Sequence, residues 1–115
     1  MSEKPVAVVT GAASGIGRAL AMELDRRGYR LAICDVDAAG IEAVGGELTD
    51  AFGCAVDIRS AEAVGAFASD VEGTLGTPEL VVHNAGVSLA AKVEDMSLED
   101  FEWVMQVNFW GMVYG

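Results

Sequence analysis

Three glycines define the chemistry open to this chain. In Thr10-Gly11-Ala12-Ala13-Ser14-Gly15-Ile16-Gly17 they punctuate a turn that follows the apolar run Val6 to Val9 and opens an amphipathic segment. A glycine-rich turn between a strand and a helix is a place for a phosphate, because unsatisfied N–H groups and the positive end of the helix dipole face the anion. Gly11 permits a tight turn, Gly15 lets a pyrophosphate approach the backbone, and Gly17 allows the helix to pack closely on the strand. In a chain with 14 glycines such a spacing arises easily by chance. The surrounding pattern decides what it means.

A second apolar run, Arg30 to Cys34, ends in Asp35. A carboxylate at the end of the second strand can accept hydrogen bonds from both hydroxyls of an adenosine ribose, and it repels a 2'-phosphate. The competing reading is an N-cap or solvated loop aspartate, the role that Asp37 fits.

Along the chain, apolar runs alternate with helical periodicities, the βαβα pattern of a parallel sheet covered on both faces. Strand one is Val6 to Thr10. Helix one runs from Gly15 to Arg27, with Ile16, Leu20 and Leu24 as its apolar stripe and Gly28 as its stop. Strand two ends at Asp35. A helix from Ala38 to Leu48 places Ile41, Val44 and Leu48 on one face, weakened by Gly45 and Gly46 at about 1 kcal/mol each relative to alanine. Strand three covers Phe52 to Val56. Ser60 caps a helix with the stripe Val64, Phe67 and Val71, ended by the Gly73, Gly76 and Pro78 region. Strand four is Leu80 to His83. A loop from Gly86 to Met96 leads to Ser97, which caps a last helix with Asp100 three residues on.

Length and charge bound the partners. A chain of 115 residues, 52% hydrophobic, buries one core and not two. A net charge of -11 argues against nucleic acid or an anionic membrane as partner, since both would be repelled at long range. No apolar run approaches the about 20 residues of a membrane span, and Met1-Ser2-Glu3-Lys4-Pro5 lacks the apolar core of a signal peptide, so the expected location is cytoplasmic. Cys34 and Cys54 fall in strands, without CxxC spacing or a neighbouring His and acidic cluster. They read as buried free thiols, and no metal site is expected.

Four features in order now resemble the amino-terminal half of a short-chain dehydrogenase/reductase of the TGxxxGxG branch. They are the turn from Thr10 to Gly17, Asp57 after strand three, Asn84-Ala85-Gly86 after strand four, and Asn108 with Gly111 in the last helix. The resemblance implies a Rossmann-type doubly wound α/β sheet in the order 3-2-1-4, one dinucleotide-binding domain over residues 1–115 that is incomplete at its carboxy terminus. It implies that Gly11, Ala13, Ser14, Gly15, Ile16, Gly17, Asp35, Val36, Asp57, Ile58, Asn84, Ala85, Gly86 and Val107 bind the cofactor. Asp57 would accept a hydrogen bond from the adenine amino group, with a helix-flanking aspartate beside Ser60 as the alternative. Asn84 would also tie adjacent strands together. Asn108 would support catalysis through a water chain, although a mid-helix asparagine otherwise reads as solvent-facing or as a kink. His83 stands where many relatives have asparagine and reads as a strand residue with a satisfied ring nitrogen.

NAD is the expected cofactor and NADP the less favoured one. NADP-preferring relatives place a basic residue in the turn or just after strand two, whereas Ser14 and Val36 stand there in this chain. Arg18 lies about 100° around the helix from Gly17 and carries little weight. The family interconverts alcohols and carbonyls by hydride transfer, using a serine, a tyrosine and a lysine four residues beyond it. The tyrosines here are Tyr29 and Tyr114 and the lysines Lys4 and Lys92, in no such arrangement. The 115-residue chain is therefore expected to be inactive alone, as the cofactor-binding half of an NAD-dependent oxidoreductase. The alternative is a noncatalytic NAD-binding or interaction module.

The last helix carries Phe101, Trp103, Val104, Met105, Val107, Phe109, Trp110, Met112 and Val113, apolar nearly all the way round. With Leu80 to Val82 on an open sheet edge, this predicts self-association, as a homo-oligomer, or a missing carboxy-terminal half. The substrate stays open among alcohols, ketones, sugars and steroids, because the resemblance places most of the pocket in segments after the catalytic tyrosine, and the loop from Gly86 to Lys92 contributes only small residues such as Val87, Ser88 and Ala90.

Overall fold

The computed structural model describes residues 4–86 and 96–115. The expected loop from Gly86 to Met96, with Val87, Ser88, Ala90 and Lys92, lies outside them except at its two ends, as do Met1, Ser2 and Glu3.

Strand β1 (Val6–Thr10) is followed by α1 (Gly15–Arg26), β2 (Arg30–Asp35), α2 (Ala38–Glu47), β3 (Ala51–Ala55), α3 (Ala61–Thr74) and β4 (Leu80–Val82). The four strands form one parallel sheet in the order β3-β2-β1-β4. Register places Thr10 beside Cys34 and Cys34 beside Cys54, so the carboxyl ends of β1, β2 and β3 lie together along one rim. Parallel strands need crossover connections, and the helices supply them while covering both faces.

Alternation along the strands divides the core in two. Ala7, Val9, Leu31 and Ile33 point toward α1 and α2, where they meet Ala21, Ile41, Val44 and Leu48. Val6, Val8, Ala32 and Cys34 point the other way, toward Phe67, Val71 and Leu75 of the α3 side. This is the period of two in a sheet buried on both faces. Phe52 and Phe67 stack at 6.3 Å between ring centroids, holding β3 against α3.

Several expected boundaries shift. Strand β3 begins at Ala51 and ends before Val56, β4 stops at Val82 and leaves an exposed His83 beyond it, and α1 closes at Arg26. The apolar stripe of α1 is also rotated from the expected one. Gly17 and Ala21 are buried, whereas Ile16 is 73% exposed. Small residues let the helix axis approach the sheet, and a stripe led by Ile16 would hold it away. Cys54 is half-buried and not buried as expected, because β3 is an edge strand. At the other edge Leu80 and Val81 are exposed.

The caps follow the sequence reading. Asp37 accepts the Gly40 N–H at 3.0 Å, Ser60 accepts the Ala63 N–H at 3.1 Å and Ser97 accepts the Asp100 N–H at 3.0 Å. The last helix is irregular. It runs as α4 (Leu98–Met105), a π-helical segment (Gln106–Trp110) and α5 (Gly111–Tyr114).

A Cβ at Gly17 would collide with the Gly11 carbonyl oxygen and sit 2.5 Å from Asn84 Nδ2, whereas one at Gly45 would meet nothing within 4 Å. Gly17→Ala is expected to destabilise by about 1–3 kcal/mol through forced backbone displacement, and Gly45→Ala to stabilise by about 0.5–1 kcal/mol through helix propensity. Urea unfolding of the two variants checks the pair, and equal midpoints would contradict this account of the packing.

Candidate functional site

The turn after β1 is held from two sides. Toward β2, the Ala12 N–H donates to the Cys34 carbonyl at 3.2 Å and the Ala13 N–H to Asp35 Oδ2 at 3.1 Å. Toward β4, the Thr10 hydroxyl accepts the N–H groups of Asn84 and Ala85, each at 3.0 Å, and donates to the Val82 carbonyl at 3.4 Å. Asn84 Nδ2 donates to the Gly11 carbonyl at 3.2 Å. Asn84 therefore ties two strand ends together through its own amide.

These contacts frame a cavity of about 730 Å³ at the carboxyl ends of the strands. Such a crevice is where ligands bind in open parallel sheets. Among the residues singled out in the sequence, Gly11, Ser14, Asp35, Val36, Asp57, Ile58, Asn84, Ala85, Gly86 and Val107 line it together. Ala13, Gly15, Ile16 and Gly17 belong to the turn and the first turn of α1 without lining it. Gly11 and Gly15 have φ of 67° and 58°, the left-handed region that favours glycine. A Cβ on Gly15 would meet nothing within 4 Å, so space stands open at the N-terminus of α1. A cradle of this shape fits a pyrophosphate.

Asp35 has both oxygens engaged by backbone donors, Oδ2 by Ala13 and Oδ1 by the Asp37 N–H at 3.1 Å. Each carboxylate oxygen accepts more than one donor, so these bonds fix its orientation and leave acceptor capacity over. Arg18 is turned away from the turn and pairs with Glu47 at 2.6 Å. Asn108 lies in the π-helical segment, is exposed, and comes close to Gly86, whose Cβ would stand 3.2 Å from its Oδ1.

Five lining residues were not among the site residues expected from the sequence: Cys34, Ala55, Val56, Arg59 and Trp103. Arg59 grips Asp57 through its guanidinium, with Nη2 2.7 Å from Oδ2 and Nε 3.0 Å from Oδ1. That bond holds the Asp57 carboxyl below its usual value, against a smaller opposing effect of burial. Trp103 lines the cavity one helical turn before Val107, and this spacing of four was the available signal. Cys34 also lines it, but burial, with the neighbouring Asp35 and Cys54, pushes its thiol up to about 12, so it stays protonated and unreactive.

A four-stranded parallel sheet with helices on both faces and a cavity over a glycine turn defines a Rossmann-type α/β protein. The family model described as short chain dehydrogenase matches residues 5–115, and the chain belongs to that family of oxidoreductases. SadH of Mycobacterium tuberculosis is 42% identical over 118 residues, covering 98% of this chain and 42% of SadH. The alcohol dehydrogenase of the archaeon Thermococcus sibiricus, solved in complex with 5-hydroxy-NADP, is 35% identical with a TM-score of 0.94, covering 97% of this chain and 50% of that one. The 3-ketoacyl-(acyl-carrier-protein) reductase of Brucella melitensis, solved with NADH, is 33% identical with a TM-score of 0.94, covering 97% and 47%. The chain thus spans about half, or less, of the length of these relatives.

Removing the Thr10 hydroxyl leaves the Asn84 and Ala85 amides without this acceptor. Thr10→Val is expected to cost about 1–3 kcal/mol, while Thr10→Ser keeps most of that stability. Denaturant unfolding gives the magnitude, and hydrogen exchange should show faster exchange at the Ala85 amide; an unaltered exchange rate would remove Thr10 from this role.

Proposed function

We propose that this chain is the cofactor-binding half of an NAD-dependent oxidoreductase that interconverts an alcohol and a carbonyl. The observation that carries the reading is Asp35, fixed by two backbone donors at the rim of the cavity. Its oriented carboxylate suits the two hydroxyls of an adenosine ribose. A phosphate on the same ribose would bring about two negative charges against it, and no basic side chain stands at Ser14 or Val36 to offset them. The NADP and NADH complexes of the two relatives leave both cofactors within the family, so the preference here rests on these residues.

In this reading the free N–H groups at the start of α1 bind the pyrophosphate, with Gly15 admitting it to the backbone. Ser14 and Gly11 shape the turn, and Ala13, Ile16 and Gly17 build it. Val36 and Ile58 give the base apolar walls, and Asp57 accepts from its amino group. Asn84, Ala85, Gly86 and Val107 form the floor that directs the reactive ring. Bound NAD supplies hydride chemistry at the nicotinamide; the chain's part is to hold and orient it and to exclude water.

Proton transfer falls to residues outside this chain. Tyr29 precedes β2, at the opposite end of the sheet from the cavity, and packs against the core. Tyr114 lies against Trp110 at 6.1 Å between ring centroids. Asn108, beside Gly86, takes the supporting role in catalysis. Self-association through the last helix belongs to the same reading. It is supported by the exposure of Phe101 at 51% and Met112 at 53%, together with the open edge at β4. Among the described residues no helix is long and apolar enough to cross a membrane.

Calorimetric titration tests the cofactor assignment. Gly15→Asp should abolish NAD binding by placing a side chain and a negative charge in the pyrophosphate space. Asp35→Ala combined with Val36→Arg should move preference toward NADP by about tenfold or more. Unchanged isotherms in both variants would sink the assignment.

A further inference from the structure

Two backbone arms from different elements hold the Asp35 carboxylate at the rim. The Ala13 N–H, in the turn after β1, donates to Oδ2, and the Asp37 N–H, at the start of α2, donates to Oδ1, each at 3.1 Å. The grip therefore depends on how the turn and α2 sit against each other. They meet at Gly40, the third residue of α2, which lies outside the cavity lining.

A Cβ on Gly40 would stand 2.9 Å from the Ala13 Cβ and would press on the Asp37 carboxylate. The backbone at Gly40 is ordinary helix, where glycine is a poorer former than alanine, so what this glycine supplies is space. The Asp37 carboxylate is the tip of an exposed N-cap side chain and can turn aside. Ala13 packs against the core under α1 and α2 and lacks that freedom. Carbon atoms in ordinary contact lie about 3.5–4.0 Å apart, so a methyl group on Gly40 would drive the turn and α2 apart by about half an ångström or more. The Ala13 bond, already near the long end of the usual range for an N–H donor, would then open.

We propose that Gly40 is a positioning residue for dinucleotide choice: by letting α2 close on Ala13 it keeps both arms on Asp35, and so keeps the carboxylate aimed at the ribose. The inference rests on the reading of the cavity as the NAD site and of Asp35 as the ribose contact. With one arm open, the carboxylate pivots about the other. It then holds the ribose hydroxyls less well and can swing away from a 2'-phosphate, and both changes shrink the margin by which NAD binds better than NADP. A displacement of this size matters because binding groups work only when held within about 0.5 Å of the productive geometry.

The test is calorimetric titration of the full chain and its variants with NAD and with NADP, read as the ratio of the two affinities. Gly40→Ala should lower the preference for NAD by about fivefold or more. Gly45→Ala, on the same helix with open space around it, should leave the ratio within about twofold. Ala13→Val closes the same gap from the other side and should act as Gly40→Ala does. In an Ala13→Gly background, which removes the atom the new methyl would meet, Gly40→Ala should change the ratio by less than about twofold. An unchanged ratio, equal weakening of both dinucleotides, or a loss that persists in the Ala13→Gly background overturns the role of Gly40. Asp35→Ala separates this from the reading beneath it. A ratio lowered by Asp35→Ala and untouched by Gly40→Ala removes Gly40 alone, whereas a ratio unmoved by Asp35→Ala removes the ribose contact and Gly40 with it. Thermal melts establish that each variant is folded, and Ala13→Val decides the matter if Gly40→Ala does not fold. A chain that binds neither dinucleotide overturns both readings.

Discussion

Everything at the candidate site depends on how closely the segment after β4 approaches the turn after β1. A Cβ on Gly11 would stand 2.8 Å from the Ala85 Cα, a distance no side-chain carbon tolerates against backbone. The Thr10 hydroxyl and the Asn84 amide then join the two segments with hydrogen bonds that both cross from one strand end to the other. The cavity has a floor because two backbones touch. Neither the sheet nor the helices would bring them so near without glycine at one side and polar side chains reaching across.

The opposite wall obeys a different logic. Asp35 is part of the structure before any ligand arrives, since its carboxylate receives the Ala13 and Asp37 amides and so fastens the turn to β2. A single side chain thereby shapes the turn and presents a charge at its rim. The overall charge of -11 opposes anions at long range, yet the proposed ligand is one. The resolution is distance. Screening confines the long-range field to about 8–10 Å at moderate salt, while backbone N–H groups at a helix start act at contact.

Much of this was legible in the residues. Apolar runs of four or five separated by amphipathic stretches dictated the alternating elements, and β1 and β2 fall where those runs lie. The glycine turn, Asp35 and Asn84 were legible because each stands at a strand end, where geometry leaves few roles for such residue types. Other features have no signature of that kind. Arg59 meets Asp57 across two residues of irregular backbone, outside any helical or strand period. Ile16 read as core because its spacing with Leu20 and Leu24 is helical, but the sheet accepts only the thinner face of Gly17 and Ala21. Trp103 was hidden among so many apolar neighbours that no face of the last helix stood out. A one-residue offset in β3 reflects an edge strand whose ends are set by pairing with β2 alone.

The π-helical segment from Gln106 to Trp110 controls the angular phase of the last helix. In a regular α-helix residues four apart drift by about 40° per step, since each residue turns about 100°. Over the two steps from Trp103 through Val107 to Gly111 that drift would swing the third residue well away from the first. A wider turn rotates each residue less, cancelling part of the drift. Trp103 and Val107 thus look into the cavity while Gly111 still faces Ile58, whose Cδ1 would be only 2.6 Å from a Cβ there. The bulge works as a phase corrector, keeping a straight seam along a helix that would otherwise spiral off its neighbour.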